Sequence, residues 1–98
     1  MSSEKKVENN IKRYLDKLGA YHIKIHGSAY TPAGTPDILV CYKGKFIAIE
    51  VKKPKGGIVS ALQKFKIQQI KDAEGVAFVA RSVEDVEKVL KKEGLLDE

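Results

Sequence analysis

The chain has almost nothing with which to crosslink or anchor itself. Its 98 residues contain one cysteine, Cys41. That excludes an intramolecular disulfide and any zinc site built from cysteine thiolates. Cys41 lies in an apolar stretch, where it is expected to be a buried small hydrophobe. No apolar run is long enough to span a bilayer, and the polar, charged first residues do not make a signal peptide. Internal repeats and low-complexity segments are also lacking. These absences predict an intracellular, cytoplasmic protein that is not secreted and has no membrane partner.

What is present suits one globular domain, residues 1–98, with a core that needs no staples. Hydrophobic residues make up 43% and charged residues 32%, as in ordinary water-soluble chains. Lysine and arginine outnumber the acids by 18 to 13, a net charge of +5. A small basic domain favours a polyanionic partner, nucleic acid first. A solvated lysine-rich surface gives the same excess, so charge alone decides little.

The most informative stretch is Gly34 to Lys52. Ile38 to Tyr42 reads as one strand and Lys45 to Val51 as the next, with Lys43-Gly44 as a tight turn. Pairing Tyr42 with Lys45 sets Asp37 directly opposite Glu50. Opposed side chains lie on one face with Cβ atoms about 4.5–5.5 Å apart. Lys52, two residues past Glu50, shares that face. One hairpin face carries Ile38, Val40, Ile47, Ile49 and Val51. The other carries Leu39, Cys41, Phe46 and Ala48 with the acids. Both faces are apolar, so both are expected to be covered and the hairpin to be central. Two facing carboxylates repel, and a divalent cation between them would remove the repulsion.

Along the rest of the chain, Met1 to Glu4 is expected to fray. Val7, Ile11, Tyr14, Leu15 and Leu18 recur at helical spacing from about Lys5 to Leu18, and Gly19 is placed to cap that helix. Glu8 flanks the stripe; by spacing alone it is a solvated acid near a helix N-terminus. Tyr21, Ile23 and Ile25 alternate with His22, Lys24 and His26, a half-buried strand whose polar face meets solvent or nucleic acid. His22 and His26 lie too far apart along it to share an ion easily. Gly27 to Pro36 is a loop containing Tyr30, able to approach a phosphate or to serve as a plain connection. Lys52-Lys53-Pro54-Lys55-Gly56-Gly57 is a basic loop suited to tracking phosphates, or simply to staying soluble. Ser60 with Gln63 makes a capping-box pattern. Leu62, Phe65, Ile70 and Ala73 form that helix's expected buried stripe, and Gly75 stops it. Gln63 either serves only the cap or faces the acids. Val76 to Ala80 reads as a short buried strand. Ser82 opens a last helix with Val83, Val86, Val89 and Leu90 inward and Gly94 at its end. The order helix, strand, strand, strand, helix, strand, helix predicts a mixed α/β sheet with helices on both faces.

Asp37 and Glu50 offer hard oxygen atoms suited to Mg²⁺ or Mn²⁺, with the Val51 carbonyl as a third protein ligand. Such an ion polarises a phosphoryl oxygen and lowers the pKa of bound water. Lys52 on the same face would orient that water or stabilise developing charge. As an ammonium beside two carboxylates it is a poor base. The plain alternative is a salt bridge from Lys52 to one of the acids.

Pro36-Asp37, twelve intervening residues and Glu50-Val51-Lys52 resemble the PD-(D/E)XK nuclease signature. The helix glutamate Glu8, Gly34 to Leu39, Ile47 to Lys52, Ser60 with Gln63, and Val79 to Asp85 together resemble the VRR-NUC domain over about residues 5–92. The resemblance implies a restriction-endonuclease-like α/β core. It implies that Asp37 and Glu50 are metal ligands and that Lys52 is the catalytic lysine. It also implies that Glu8 completes the acidic cluster directly or through water, and that Gln63 stands at its edge. Stand-alone members of this size, often encoded by phages, are implied to act as homodimers on branched DNA such as four-way (Holliday) junctions, in a bacterial or phage-infected cell. Lys53, Lys55, Lys24, His26 and Tyr30 are the expected DNA contacts. The archaeal type of Holliday-junction resolvase shares the same acids and lysine. It usually carries arginine–glycine before its helix glutamate, where this chain has Lys5-Lys6-Val7, so VRR-NUC ranks first. A Mg²⁺-dependent structure-selective endonuclease is therefore the leading expectation. The alternatives are a non-catalytic basic nucleic-acid-binding module and a subunit whose basic face binds an acidic protein.

Overall fold

The computed structural model describes residues 2–97. Helix α1 (Ser3–Leu18) leads into β1 (Tyr21–Lys24), β2 (Ile38–Tyr42) and β3 (Lys45–Val51). Helix α2 (Ala61–Asp72), β4 (Val76–Ala80) and α3 (Val83–Lys92) follow. The sheet order is β1-β2-β3-β4, antiparallel in the meander and parallel between β3 and β4, where α2 makes the crossover. This is the predicted α/β architecture. The hairpin register is also as predicted, with Tyr42 opposite Lys45 and Ile38 opposite Ile49. Lys43 and Gly44 both have positive φ, 51° and 78°, which a two-residue turn of this handedness requires. That turn pins the pairing and therefore sets Asp37 beside Glu50.

One sheet face is dry. Ile38, Val40, Ile47, Ile49 and Val51 meet Val7, Ile11 and Leu15 of α1 and Val86 and Leu90 of α3. Fully burying a side chain of this size is worth about 1.5–3 kcal/mol. Ser2 caps α1 by accepting from the Lys5 N–H at 3.1 Å. The helix therefore begins at Ser3 rather than fraying through Glu4; Met1 lies outside the described residues.

The opposite face departs from expectation. Among the described helices α2 alone lies on it, and Ile67 packs there with Ala48 and Ala77. A helix about 10 Å across covers roughly two strands spaced about 4.8 Å apart. It covers β3 and β4, reaches Leu39 of β2, and leaves β1 and the far end of β2 open. Cys41 is therefore exposed, and Phe46 is 47% exposed. Strand β1 is reversed for the same reason. Tyr21 and Ile23 point to the open side at 68% and 43% exposure, whereas His22 and Lys24 are the half-buried positions. His22 Nε2 lies 2.6 Å from Asp16 Oδ1 at the end of α1. The stripe of α2 is also shifted. Ile67 is its buried residue, while Leu62 and Phe65 are exposed and Ile70 is half-buried.

Candidate functional site

The ends of three strands converge at one end of the sheet. Lys24 closes β1, Asp37 precedes β2, and Glu50 and Lys52 stand at the end of β3. The register makes Asp37 and Glu50 neighbours. The Asp37 Oδ2 accepts the Val51 backbone N–H at 2.7 Å, and the Asp37 carbonyl accepts the Ile25 N–H at 2.7 Å. These two bonds hold Asp37 at the strand ends with Oδ1 directed outward to Lys24 Nζ, 3.4 Å away.

Glu50 is buried, 3% exposed. Its Oε2 accepts from Gln63 Nε2 at 3.1 Å and lies 3.8 Å from Lys52 Nζ. Its Oε1 is buried with no hydrogen-bond partner among the described residues. Burial first, and the Asp37 carboxylate second, push the Glu50 carboxyl up from 4.5 to about 8, against the opposing pull of Lys52. Protonated, Glu50 can donate to Asp37. Ionised, the pair are two acceptors with no proton between them, and Oε1 is left unsatisfied.

Gln63 does both things its sequence position allowed. Ser60 Oγ accepts the Gln63 N–H at 3.1 Å, and Gln63 Oε1 accepts the Ser60 N–H at 2.9 Å. With its oxygen committed to the cap, the amide nitrogen faces Glu50. The box that starts α2 therefore also orients a donor onto the acid.

Glu8 enters from α1, and it is buried at 6% exposure. Its Oε2 lies 3.1 Å from Lys5 Nζ and 3.4 Å from Lys12 Nζ, and its Oε1 lies 3.2 Å from Lys24 Nζ. Burial works to raise its pKa, but the three lysines outweigh it and hold the carboxyl below the ordinary value. Lys24 bridges Glu8 and Asp37. Burial works to lower its pKa, and the two acids reverse that and raise it. Two expectations change here. Lys24, expected on a nucleic-acid-facing surface, is built into the acidic cluster. Glu8 reaches that cluster through an ammonium rather than by standing beside Asp37. Among the described residues no group of three or more histidine, cysteine, aspartate or glutamate side chains gathers as a metal cluster. The acids form a pair, Asp37 with Glu50, and a third acid tethered through Lys24. Lys24 was detectable in principle: the pairing of β1 with β2 sets it opposite Ile38, next to Asp37.

The remaining expected contacts lie outside this centre. Lys53 and Lys55 are exposed on the loop after Lys52, and His26 and Tyr30 are exposed in the loop after β1. Sequence reasoning placed Arg81 inside the resembling segment Val79 to Asp85 but gave it no role. Its guanidinium donates to the carbonyls of Lys53 at 3.0 Å, Gly56 at 2.6 Å and Gly57 at 2.9 Å.

Sheet order, strand-end acids and the adjacent lysine define a restriction-endonuclease-like fold. The comparisons agree. Residues 2–94 match the family model described as archaeal Holliday junction resolvase (Hjc), and the chain belongs to that family. No curated protein matches it. A solved VRR_NUC domain superposes with TM-score 0.77 at 24% identity, covering 93% of this chain and 97% of that one. A VRR_NUC domain protein gives 0.74 at 20% identity, covering 99% and 93%. Hjc of Archaeoglobus fulgidus, a Holliday junction resolvase, gives 0.58 at 25% identity, covering 78% of this chain and 65% of that chain. The residues before Glu8 ranked VRR-NUC ahead of the archaeal resolvases. The superpositions keep that order, while the family model matches the resolvases along nearly the whole chain. Both are the same fold. Among the described residues no helix is long and apolar enough to cross a membrane.

Proposed function

We propose that this chain is a Mg²⁺-dependent endonuclease that hydrolyses phosphodiester bonds in branched DNA, four-way junctions among them, with Mn²⁺ able to replace Mg²⁺. One observation carries the reading: a buried, unpartnered Glu50 Oε1 beside Asp37, on the sheet face that also bears Lys52. A fold gains nothing from burying a carboxylate oxygen without a partner. The substrate class rests on the family and on the Archaeoglobus fulgidus protein, both named as Holliday junction resolvases.

The donors fit the ion. Mg²⁺ commonly takes one or two carboxylates and keeps waters and phosphate oxygens as its other ligands. Asp37 and Glu50 would hold it. The Val51 carbonyl is a third candidate, since an extended residue offers its N–H and C=O to the same neighbouring strand and the Val51 N–H goes to Asp37. Bound there, Mg²⁺ would polarise the scissile phosphate and lower the pKa of a bound water. The chain's own residues orient the rest. The Val51 N–H fixes Asp37, and Gln63 fixes Glu50. Lys52 would position the attacking water. It would also stabilise negative charge on the phosphate as the bond to the leaving sugar oxygen breaks and that oxygen takes a proton from water. Glu8 acts through Lys24 as a positioning group rather than as a direct ligand.

The active form is proposed to be a homodimer. An apolar groove lined by Tyr21, Ile23, Leu39, Cys41 and Phe46 crosses the open side of β1 and β2. Exposed apolar surface of this kind marks association sites. Phe46→Glu should convert a dimer to a monomer in sedimentation at micromolar concentration. A wild type that sediments as a monomer throughout would remove the dimer.

A non-catalytic DNA-binding module is the second reading. Lys24 favours it, because a resident ammonium between Glu8 and Asp37 already supplies a cation. Labelled four-way junction, flap, single-stranded and duplex DNAs incubated with Mg²⁺ or Mn²⁺ separate the two. The wild type should cut at least one branched substrate. Asp37→Ala and Lys52→Ala should bind it and cut about a thousandfold more slowly or not at all. Undiminished cutting by Asp37→Ala would end the catalytic assignment, and binding without any cutting by the wild type would select the module.

A further inference from the structure

The loop from Lys52 to Val59 joins the lysine of the site to the helix that carries Gln63. Its composition, three lysines and two glycines in six residues, suggests a mobile segment. The structure shows otherwise. Its stem is held by the Lys52 N–H donating to the Ala80 carbonyl at 3.0 Å. Its body is gathered onto one side chain, Arg81, through the carbonyls of Lys53, Gly56 and Gly57. Gly56 and Gly57 adopt φ of +77° and +58°. Left-handed φ at two successive positions costs glycine least. A Cβ on Gly56 would lie 3.2 Å from the Lys53 side chain.

Arg81 is itself fixed. Its backbone N–H donates to Asp85 Oδ2 at 2.8 Å, while Ser82 Oγ accepts the Asp85 N–H at 3.2 Å at the start of α3. Among the described residues the guanidinium partners are neutral carbonyls, so its charge is not spent on a carboxylate. A trans peptide directs its C=O and N–H oppositely. With the Gly56 and Gly57 carbonyls turned toward Arg81, the N–H groups of Gly57 and Ile58 point away from it. Lys53 and Lys55 are exposed on the same short loop. Backbone N–H groups and ammonium groups presented together form an anion-receptive surface.

We infer that Arg81 is a positioning residue: it clamps the loop after Lys52 into a preformed cradle for a DNA backbone phosphate next to the Asp37–Glu50 site. The inference rests on the nuclease reading for its location, but not for its test. A fixed cradle spares the loop's ordering entropy at the moment of binding. It would hold one phosphate while a neighbouring phosphodiester lies at the acids. The geometry needs a planar fork. Lysine at this position keeps the charge but not the fixed spread of donors.

The test uses the full chain with Arg81→Met and Arg81→Lys, read three ways. Limited trypsin digestion should cut both variants faster than wild type at Lys55–Gly56. Mn²⁺ binding followed by calorimetry should be unchanged in both. Four-way junction binding without divalent metal should weaken by about tenfold in Arg81→Met, and the slope of log affinity against log salt should flatten by about one. Arg81→Lys should loosen the loop similarly yet bind better than Arg81→Met, because it keeps the charge. In a cutting assay, KM should rise with kcat nearly unchanged. Wild-type trypsin resistance in both variants would overturn the clamp. A loosened loop with wild-type affinity and salt slope would overturn the cradle. If Arg81→Met does not fold, Arg81→Lys decides by digestion and affinity alone: a loosened loop with wild-type junction affinity would overturn the cradle. A wild type that cuts nothing while these binding effects appear would end the nuclease reading and leave the cradle standing.

Discussion

Two buried glutamates meet opposite electrostatic fates in this molecule. Glu8 on α1 has three ammonium groups within 3.4 Å, and its carboxyl is held below the ordinary range. Glu50 on β3 has one ammonium at 3.8 Å, a carboxylate neighbour and an oxygen without a partner, and its carboxyl rises to about 8. Burial penalises both equally in kind; the difference lies in what surrounds them. Glu8 is satisfied by the chain, whereas Glu50 keeps one oxygen that no described residue satisfies, the oxygen that the proposed function assigns to a metal ion. Equal burial is therefore a poor guide to which acid handles a ligand.

The strongest way to break this contrast is a metal titration. Glu50→Gln should weaken Mn²⁺ binding by at least about tenfold, because a ligand oxygen loses its charge. Glu8→Gln should weaken it less, since Lys24 stands between Glu8 and Asp37. Calorimetry on the two variants measures both, and equal losses would contradict direct ligation by Glu50 with Glu8 outside.

A smaller effect should appear in metal-free thermal unfolding. The folded Glu50 carboxyl titrates at about 8 rather than 4.5. A raised value means that its contribution to stability is fully present below about 4.5 and is lost as pH rises through about 8. Glu8 runs the other way. Its contribution is present above the ordinary glutamate range and is lost as pH falls through its lowered value. The melting temperature without metal should therefore fall by roughly 5 °C or more between neutral pH and pH 9. Glu50→Gln should flatten that decline. Glu8→Gln should keep it and lose instead the wild type's decline in acid. Superimposable profiles for Glu50→Gln and wild type would show that Glu50 is not the perturbed group.

The sequence was most legible where local geometry is stiff. Lys43-Gly44 admits one turn, so the register and the Asp37–Glu50 pair followed from it. Ser60 and Gln63 carried the start of α2. It was least legible where the answer depended on which elements cover a surface. Alternation in β1 shows that Tyr21 and Ile23 share a face, but not that the face is open while Lys24 lies under α1. Apolar residues on both hairpin faces were read as two covered faces, although α2 is wide enough for only two strands. Glu8 was misjudged by spacing because its partner Lys24 lies on a strand 16 positions away, beyond any helical repeat. Arg81 left no periodic signal, since its partners are backbone carbonyls of another loop.

The Gln63 amide has one more consequence, for the phase of a helix. A surface helix is usually rotated about its axis until its apolar stripe is out of water. Helix α2 does not follow that rule: Leu62 and Phe65 remain 44% and 56% exposed. Its rotation matches the ties of its first turn, where Gln63 is bonded to Ser60 behind it and to Glu50 below it. Ile67, one turn on, is then brought over Ala48 and Ala77. One rotation of the helix thus satisfies a polar tie to Glu50 and the burial of Ile67 together, and Leu62 and Phe65 take the angle that this leaves.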